Sequence, residues 1–265
     1  MDYVFDILRT TDVFSFPIIS ILIGVGFIVG FINTVSGGAT AISYALFMAM
    51  GMPLTVANAT TRLGVTMQFL TSTIVFGKKG IINKTDALRV GVPVALGSIG
   101  GAMVACEVNQ RVFEIILAVF LILMMFMLIF DSKRFLSRNV SVSNREESFP
   151  LWKTLVFCVI GFYGGFTHIG VGLLILFGSV LLLKTDLLHA NGIKQMAVVM
   201  YSPLALIVFG INGIINWPVA VIYGVGNVLG GYLGSVKAIN WGVNFIRWFS
   251  IVFIGVFIIY LVFKS

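Results

Sequence analysis

The chain has 265 residues, of which 59% are hydrophobic and 10% charged, with a formal net charge of +7, and its mean hydropathy is +1.08. So little charge cannot cover a soluble surface, so the composition excludes a soluble globular domain and indicates an all-α integral membrane protein with the lipid bilayer as its surroundings. The basic balance would point to nucleic acid in a soluble chain, but here the basic residues sit in short loops between apolar segments, where they set orientation, and no nucleic-acid partner is expected.

The first twelve residues carry Asp2, Asp6 and Asp12 against a single Arg9. This is not the basic leader of a cleaved signal, so the first apolar stretch is expected to stay. Five apolar segments follow, at about 13–32, 37–51, 54–76, 87–106 and 112–130. Asp131 to Phe149 is rich in Ser, Arg and Glu and reads as a flexible linker. Five more segments lie at about 151–167, 171–183, 187–209, 217–236 and 243–263. The expected organisation is one membrane domain made of a first membrane repeat, 1–130, a cytoplasmic linker, 131–150, and a second repeat, 151–265. The second segment of each half is too short to cross a bilayer core of roughly 30 Å at about 1.5 Å per residue, and reads either as a half-helix or as one arm of a re-entrant hairpin. The total is eight to ten helices, depending on how those short segments are drawn.

The two halves echo each other. Gly80-Ile81-Ile82-Asn83 returns as Gly213-Ile214-Ile215-Asn216, a shift of 133 residues (213 less 80), at which Ala57-Asn58 also meets Ala190-Asn191. At the same shift Gly77, Gly91, Gly97 and Gly101 meet Gly210, Gly224, Gly230 and Gly234. Upstream, Gly26-Phe27 and Gly30-Phe31 echo Gly161-Phe162 and Gly165-Phe166 at a shift of 135 (161 less 26), which sets Asn33 opposite His168; one residue off that shift, Ser36-Gly37-Gly38 lies opposite Gly170-Val171-Gly172. With the N-terminus outside, the inside loops hold Lys78, Lys79, Lys84, Arg89, Lys133, Arg134, Arg138, Arg145, Lys153, Lys184, Lys237 and Arg247. Only Arg9, Arg111 and Lys264 lie outside. The positive-inside bias therefore predicts both termini outside and an inverted pair of repeats in a cell membrane, the arrangement with which many secondary transporters build a substrate site at mid-depth.

Two polar breaks separate the first and second segments of the halves, Asn33-Thr34-Val35-Ser36-Gly37-Gly38 and Thr167-His168-Ile169-Gly170-Val171-Gly172. Glycine together with backbone-bonding Asn, Ser and Thr unwinds helices, and irregular backbone at membrane depth persists only where protein buries it or it lines a cavity. A short helix starts after each break with no acidic residue in its first turn, so its leading amides and dipole are open to an anion. Ser36, Gly37, Gly38, Gly170, Val171 and Gly172 are the expected backbone donors. Thr34, Thr60, Thr61, Thr167 and Asn191 are expected to add side-chain bonds, and Asn33 and His168, opposite each other in the alignment, are candidate site residues as well. The alternative role for such glycines is close helix packing, to which Gly97, Gly101, Gly226, Gly230 and Gly234 are assigned. Arg62 and Lys194 lie about one to two turns inside the third segments. They either balance substrate charge or snorkel to the headgroups.

No Asp or Glu lies deep in any segment, which makes the interior cationic and disfavours cation transport. His168 is the best-placed titratable group for proton coupling, with a hydrogen-bonded structural role as its alternative. Cys106 and Cys158 lie in apolar segments without CxxC spacing and read as core residues. No GxxxxGK[ST] motif and no nucleophile-base or metal-ligand cluster occurs, so no ATP site, metal, cofactor or enzymatic activity is expected.

These residues in this order resemble the TauE/SafE family of integral membrane transporters over nearly the whole chain. Gly30-Phe31-Ile32-Asn33-Thr34-Val35-Ser36-Gly37-Gly38 resembles the family's first-repeat motif, and 57–76 followed by Lys78-Lys79-Gly80 resembles its polar helix and basic loop. Gly161 to Phe166, Gly170-Val171-Gly172, Ala190-Asn191 and Lys194 resemble the second repeat more closely still. The chain departs from the pattern in having Gly37-Gly38-Ala39-Thr40 where three or four glycines are usual, and Ser43-Tyr44 near the place of a common proline. The resemblance implies export of a small anion, sulfite or an organosulfonate, by alternating exposure of a site between the breaks. A passive anion channel and a non-transporting scaffold or enzyme subunit remain as alternatives, and a homo-oligomer is compatible with either.

Overall fold

The computed structural model describes residues 12–117, 119 and 149–264. Eight helices are placed in full: α1 (Phe16–Val35), α2 (Thr40–Ala49), α3 (Leu54–Lys78), α4 (Lys84–Glu107), α5 (Leu151–Phe166), α6 (Val171–Leu182), α7 (Leu187–Ile211) and α8 (Trp217–Lys264). Residues 110–117 are also helical, and no strand occurs among the described residues. The fifth segment of the first half and the linker fall largely outside the described residues. Among the described residues four helices are long and apolar enough to cross a membrane: α1, α4, α7 and the Trp217–Trp241 part of α8.

Sequence divides the last stretch into segments at 217–236 and 243–263, but α8 runs through both without a break. The residues at the expected divide, 237–242, include no proline, and the one glycine there, Gly242, is carried within the helix. The short helices are as brief as expected. With 10 residues in α2 and 12 in α6, they rise about 15 and 18 Å, well under a bilayer core.

The duplicated Gly-Ile-Ile-Asn is a helix-to-helix connector. Gly80 (φ 68°) and Gly213 (φ 67°) take the left-handed conformation that ends α3 and α7. The next amide in each closes back on the helix, Ile81 N to Phe76 O at 3.2 Å and Ile214 N to Phe209 O at 3.4 Å. The asparagine then caps the following helix. Asn83 Oδ1 accepts from the Thr85 and Asp86 amides, and Asn216 Oδ1 accepts from Val219 N.

The principal contacts are unchanged when the halves are exchanged. α1 packs along α8 as α5 packs along α4, α3 packs on α8 as α7 packs on α4, α3 and α7 cross each other, and each short helix leans on the third helix of its own half. The α4·α5 crossing is backbone on backbone: a Cβ on Gly97 or Gly101 would overlap the carbonyls of Cys158 or Phe162, and one on Gly161 or Gly165 would overlap those of Val94 or Ser98. At α1·α8, Gly26 and Gly30 meet Tyr223 and Asn227, while Gly226 and Gly230 meet Ile23 and Phe27. Small residues give these helices the close approach that membrane packing relies on.

These crossings correct the upstream register. Gly161 rests on Val94 and Gly30 on Asn227, and Val94 and Asn227 are counterparts at the shift of 133 (227 less 94). Gly30 therefore matches Gly161, a shift of 131 (161 less 30), and not Gly165. The Gly-Phe echoes come from successive turns of their helices, so matching them by letter slips the alignment by one turn. At the corrected shift Thr40 and Val171 both open short helices.

Candidate functional site

The breaks proper are Ser36-Gly37-Gly38-Ala39 and Thr167-His168-Ile169-Gly170, four residues each and all buried. In the corrected register Ser36 matches Thr167, Gly37 matches His168 and Asn33 matches Gly164, replacing the Asn33–His168 correspondence. Gly37 (φ 98°), Gly38 (φ 91°) and Gly170 (φ 75°) adopt left-handed conformations that an L side chain rarely takes. The breaks touch each other: a Cβ on Gly37 would lie 2.9 Å from Leu173 N and 3.0 Å from the Gly172 carbonyl carbon. The first break thus lies against the start of α6, just past the second, and both breaks are buried.

Lys194 and Arg62 cap helix ends of the opposite half. Lys194 Nζ donates to Asn33 O (3.0 Å) and Thr34 O (2.9 Å), and Gln195 Nε2 also donates to Thr34 O (2.9 Å), at the end of α1. Arg62 Nη1 donates to Gly164 O (2.7 Å) and Nη2 to Gly165 O (2.8 Å), while Asn58 Nδ2 donates to Phe166 O (2.8 Å), at the end of α5. The last carbonyls of a helix lack partners and carry the negative end of its dipole, so a cation placed there is doubly favoured. Both side chains are 0% exposed, which rules out snorkelling in this arrangement. The arginine fork also donates to Asn58 Oδ1 (3.0 Å), and Asn191 Oδ1 likewise accepts from Gln195 Nε2 (2.9 Å). At the shift of 133, Asn58 matches Asn191 and Arg62 matches Gln195, so the repeat itself holds the signal for Asn58 and Gln195.

The other sequence-predicted residues divide by what they bind. Asn33 straddles its own break, donating to Thr40 Oγ1 (3.0 Å) and accepting from Ala39 N (2.8 Å). Thr34 Oγ1 bonds Ser72 Oγ and Gln68 Nε2, both at 3.1 Å, and Ser36 Oγ returns to Ile32 O at 3.2 Å. Thr167 Oγ1 meets the Tyr44 hydroxyl at 3.2 Å, and His168 Nδ1 meets the Tyr201 hydroxyl at 2.5 Å. Gly170, Val171 and Gly172 form the start of α6 against Gly37. Thr60 and Thr61 turn elsewhere: Thr60 Oγ1 accepts from Asn216 N (3.1 Å) in the second connector, and Thr61 donates back to Asn58 O (2.8 Å).

Three tyrosines that the sequence does not assign to the site hold the second break. Tyr44 hydroxyl bonds Asn58 Oδ1 and accepts from His168 N (3.4 Å), Tyr163 hydroxyl donates to Ile169 O (2.8 Å), and Tyr201 hydroxyl pairs with His168.

Neither short helix has a side-chain cap at its N-terminus or an acidic residue in its first turn. None of the described acidic residues is buried. Among the described residues no group of His, Cys, Asp and Glu is placed to hold a metal. The arrangement therefore offers amide donors, amide and hydroxyl side chains and two cations, with no fixed negative group.

The pattern of one protein family, described as "Sulfite exporter TauE/SafE", matches residues 22–261. A "Probable membrane transporter protein" of Haemophilus influenzae is 26% identical over 232 residues, 87% of this chain and 89% of its own length. "Probable membrane transporter protein ORF9" of Sinorhizobium sp is 28% identical over 233 residues, 88% of each chain. "Probable membrane transporter protein YfcA" of Escherichia coli K12 is 25% identical over 231 residues, 87% of this chain and 84% of its own. No solved structure matches the chain.

Proposed function

The chain belongs to the sulfite exporter TauE/SafE family of membrane transporters, and from that premise we propose that it is a secondary transporter of a small anion, sulfite or an organosulfonate. The observation that carries the reading is that the first break, at Gly37, lies against the uncapped start of α6 in an interior where none of the described acidic residues is buried. Amides at a helix start, at the positive end of its dipole, favour an anion, and burial strengthens every such interaction.

The substrate binds where the breaks meet, and export proceeds by exposing that place alternately to either side. The burial of both breaks supports a gated site over an open channel. Arg62 and Lys194 set the positive field of the site and at the same time tie the end of each broken helix to the third helix of the other half. The halves are inverted in the cell membrane, with both termini outside and the linker inside. The transport reading is tested in liposomes containing the folded protein: saturable flux of sulfite or an organosulfonate under an imposed gradient is expected, and a folded protein that moves neither under any gradient sinks it.

A further inference from the structure

The corrected register shows where the halves part company. In the first half the Tyr44 hydroxyl stands among Asn58 Oδ1, Thr167 Oγ1 (3.2 Å) and the His168 amide (3.4 Å). Its oxygen already occupies the place at which the second break presents a backbone N–H. The counterpart of Tyr44 at the shift of 131 is Ile175, buried and without a polar atom.

The counterpart of Asn58 is Asn191, and here too the halves differ. Asn58 Nδ2 is used on Phe166 O, whereas Asn191 Nδ2 is fully buried with no hydrogen-bond partner. Lys194 follows one turn along α7, and its chain runs past Gly172 at the start of α6, where a Cβ would meet Lys194 Cδ at 3.5 Å. Of the three Nζ protons, two are committed to Asn33 O and Thr34 O. At the same helix start Val171 N turns to His168 O and Leu174 N to Gly170 O, so the Gly172 and Leu173 amides between them are left without an intrahelical acceptor. An unpaired side-chain donor, a spare ammonium proton and two leading amides thus gather on one side of the site. The equivalent place on the other side is filled.

We propose that the site, on the anion-transporter reading above, takes a single oxyanion per chain on the Asn191–Lys194 side, and that the Tyr44 hydroxyl is a resident group filling the pseudo-equivalent position. The pseudo-twofold pair of sites is thereby reduced to one. The ligand is a tetrahedral or pyramidal oxyanion, which accepts from the Asn191 amide, Lys194 and the α6 amides with separate oxygens. Gly37 covers Leu173 N in the present arrangement, so admitting the ion parts the two breaks.

Equilibrium dialysis of the full chain in detergent against labelled sulfite, at ionic strength held constant with chloride, tests this. The wild-type chain is expected to hold one ion. Asn191→Asp and Asn191→Leu both remove the donor, and each is expected to weaken binding about tenfold or more while still melting cooperatively. Two variants are used because the apolar one is the more exposed to misfolding. Tyr44→Phe is still expected to hold a single ion, because the amide donor on that side, Asn58 Nδ2, stays committed to Phe166 O. If wild type binds sulfite and a folded Asn191 variant binds it equally well, the asymmetric site is overturned while the anion reading stands. Two ions per wild-type chain, or loss of the ion in Tyr44→Phe but not in Asn191→Asp, overturn it as well. Absence of sulfite binding by folded wild type brings down the anion reading and this inference together.

Discussion

The two breaks do the same geometric job by opposite means. The first is built from backbone freedom: Gly37 and Gly38 both sit at positive φ, and the bonds that hold it, from Asn33 to Ala39 and Thr40, stay within its own segment. The second has one such glycine, Gly170, and, besides the local bond from Tyr163 to Ile169 O, it is clamped from outside by the hydroxyls of Tyr44 and Tyr201 on two other helices. A segment held by its own short-range bonds can rearrange without disturbing its neighbours, while one held by other helices moves only if they do. The difference assigns the halves unequal roles, the first break as the adjustable wall of the site and the second as the fixed one.

The largest effects should come from the caps that hold the two ends. Arg62→Met removes the donors to Gly164 O and Gly165 O and one of the two to Asn58 Oδ1 together. At about 1.5–3 kcal/mol for each hydrogen bond to a charged group, the loss approaches the whole stability of an ordinary domain, and no folded protein is expected on size-exclusion chromatography. Lys194→Met removes only two bonds, and Thr34 O keeps Gln195. That variant should fold with a reduced melting temperature. Equal damage from both substitutions would show that the two ends are restrained alike and would erase the contrast.

Next come the glycines where the breaks touch. Gly37→Ala meets Leu173 N at 2.9 Å in a left-handed conformation, and the strain of that conformation alone is about 1–2 kcal/mol. Gly172→Ala finds only ordinary contacts, 3.5 Å to Gly37 Cα and Lys194 Cδ, at a helical position. Alanine is favoured over glycine there by about 0.8–1 kcal/mol. The first variant should melt well below wild type and the second at or above it, and the reverse order would mean that the breaks do not pack as described. Tyr201→Phe should follow, leaving the buried His168 Nδ1 without a partner at a cost of about 1–3 kcal/mol. A melting temperature unchanged by Tyr201→Phe would remove the clamp from the second break.

Much of this organisation is legible in the sequence because membrane helices announce themselves by length. The boundaries of α1 through α7 follow apolar runs, and the connectors follow from a glycine that needs positive φ and an asparagine that caps. What the sequence hides is partnership across the halves. Arg62 and Lys194 stand out as buried charges, but nothing local says that each serves carbonyls about a hundred or more residues away. Tyr44 and Tyr201 look like ordinary apolar residues until their hydroxyls are placed. The slip of one turn between α1 and α5 has the same origin, since a Gly-Phe pair recurs on successive turns and only the packing of Gly30 on Asn227 and Gly161 on Val94 selects the match.

The smallest effect concerns Thr60, which the sequence groups with the substrate donors and the structure gives to a connector. Its hydroxyl oxygen accepts the Asn216 amide, fixing the turn that starts α8. Its counterpart at the shift of 133 is Ile193, which has no hydroxyl to offer the first connector. The second connector thus has a restraint that the first lacks. Thr60→Val keeps the shape and removes one neutral hydrogen bond, so it should cost about 0.5–1.5 kcal/mol in stability and leave anion affinity unaltered. A drop in affinity without a matching drop in melting temperature would return Thr60 to the site. It would also show that the connector and the breaks are a single unit, because the Asn216 amide would then be only a resting partner for a hydroxyl that the substrate also uses.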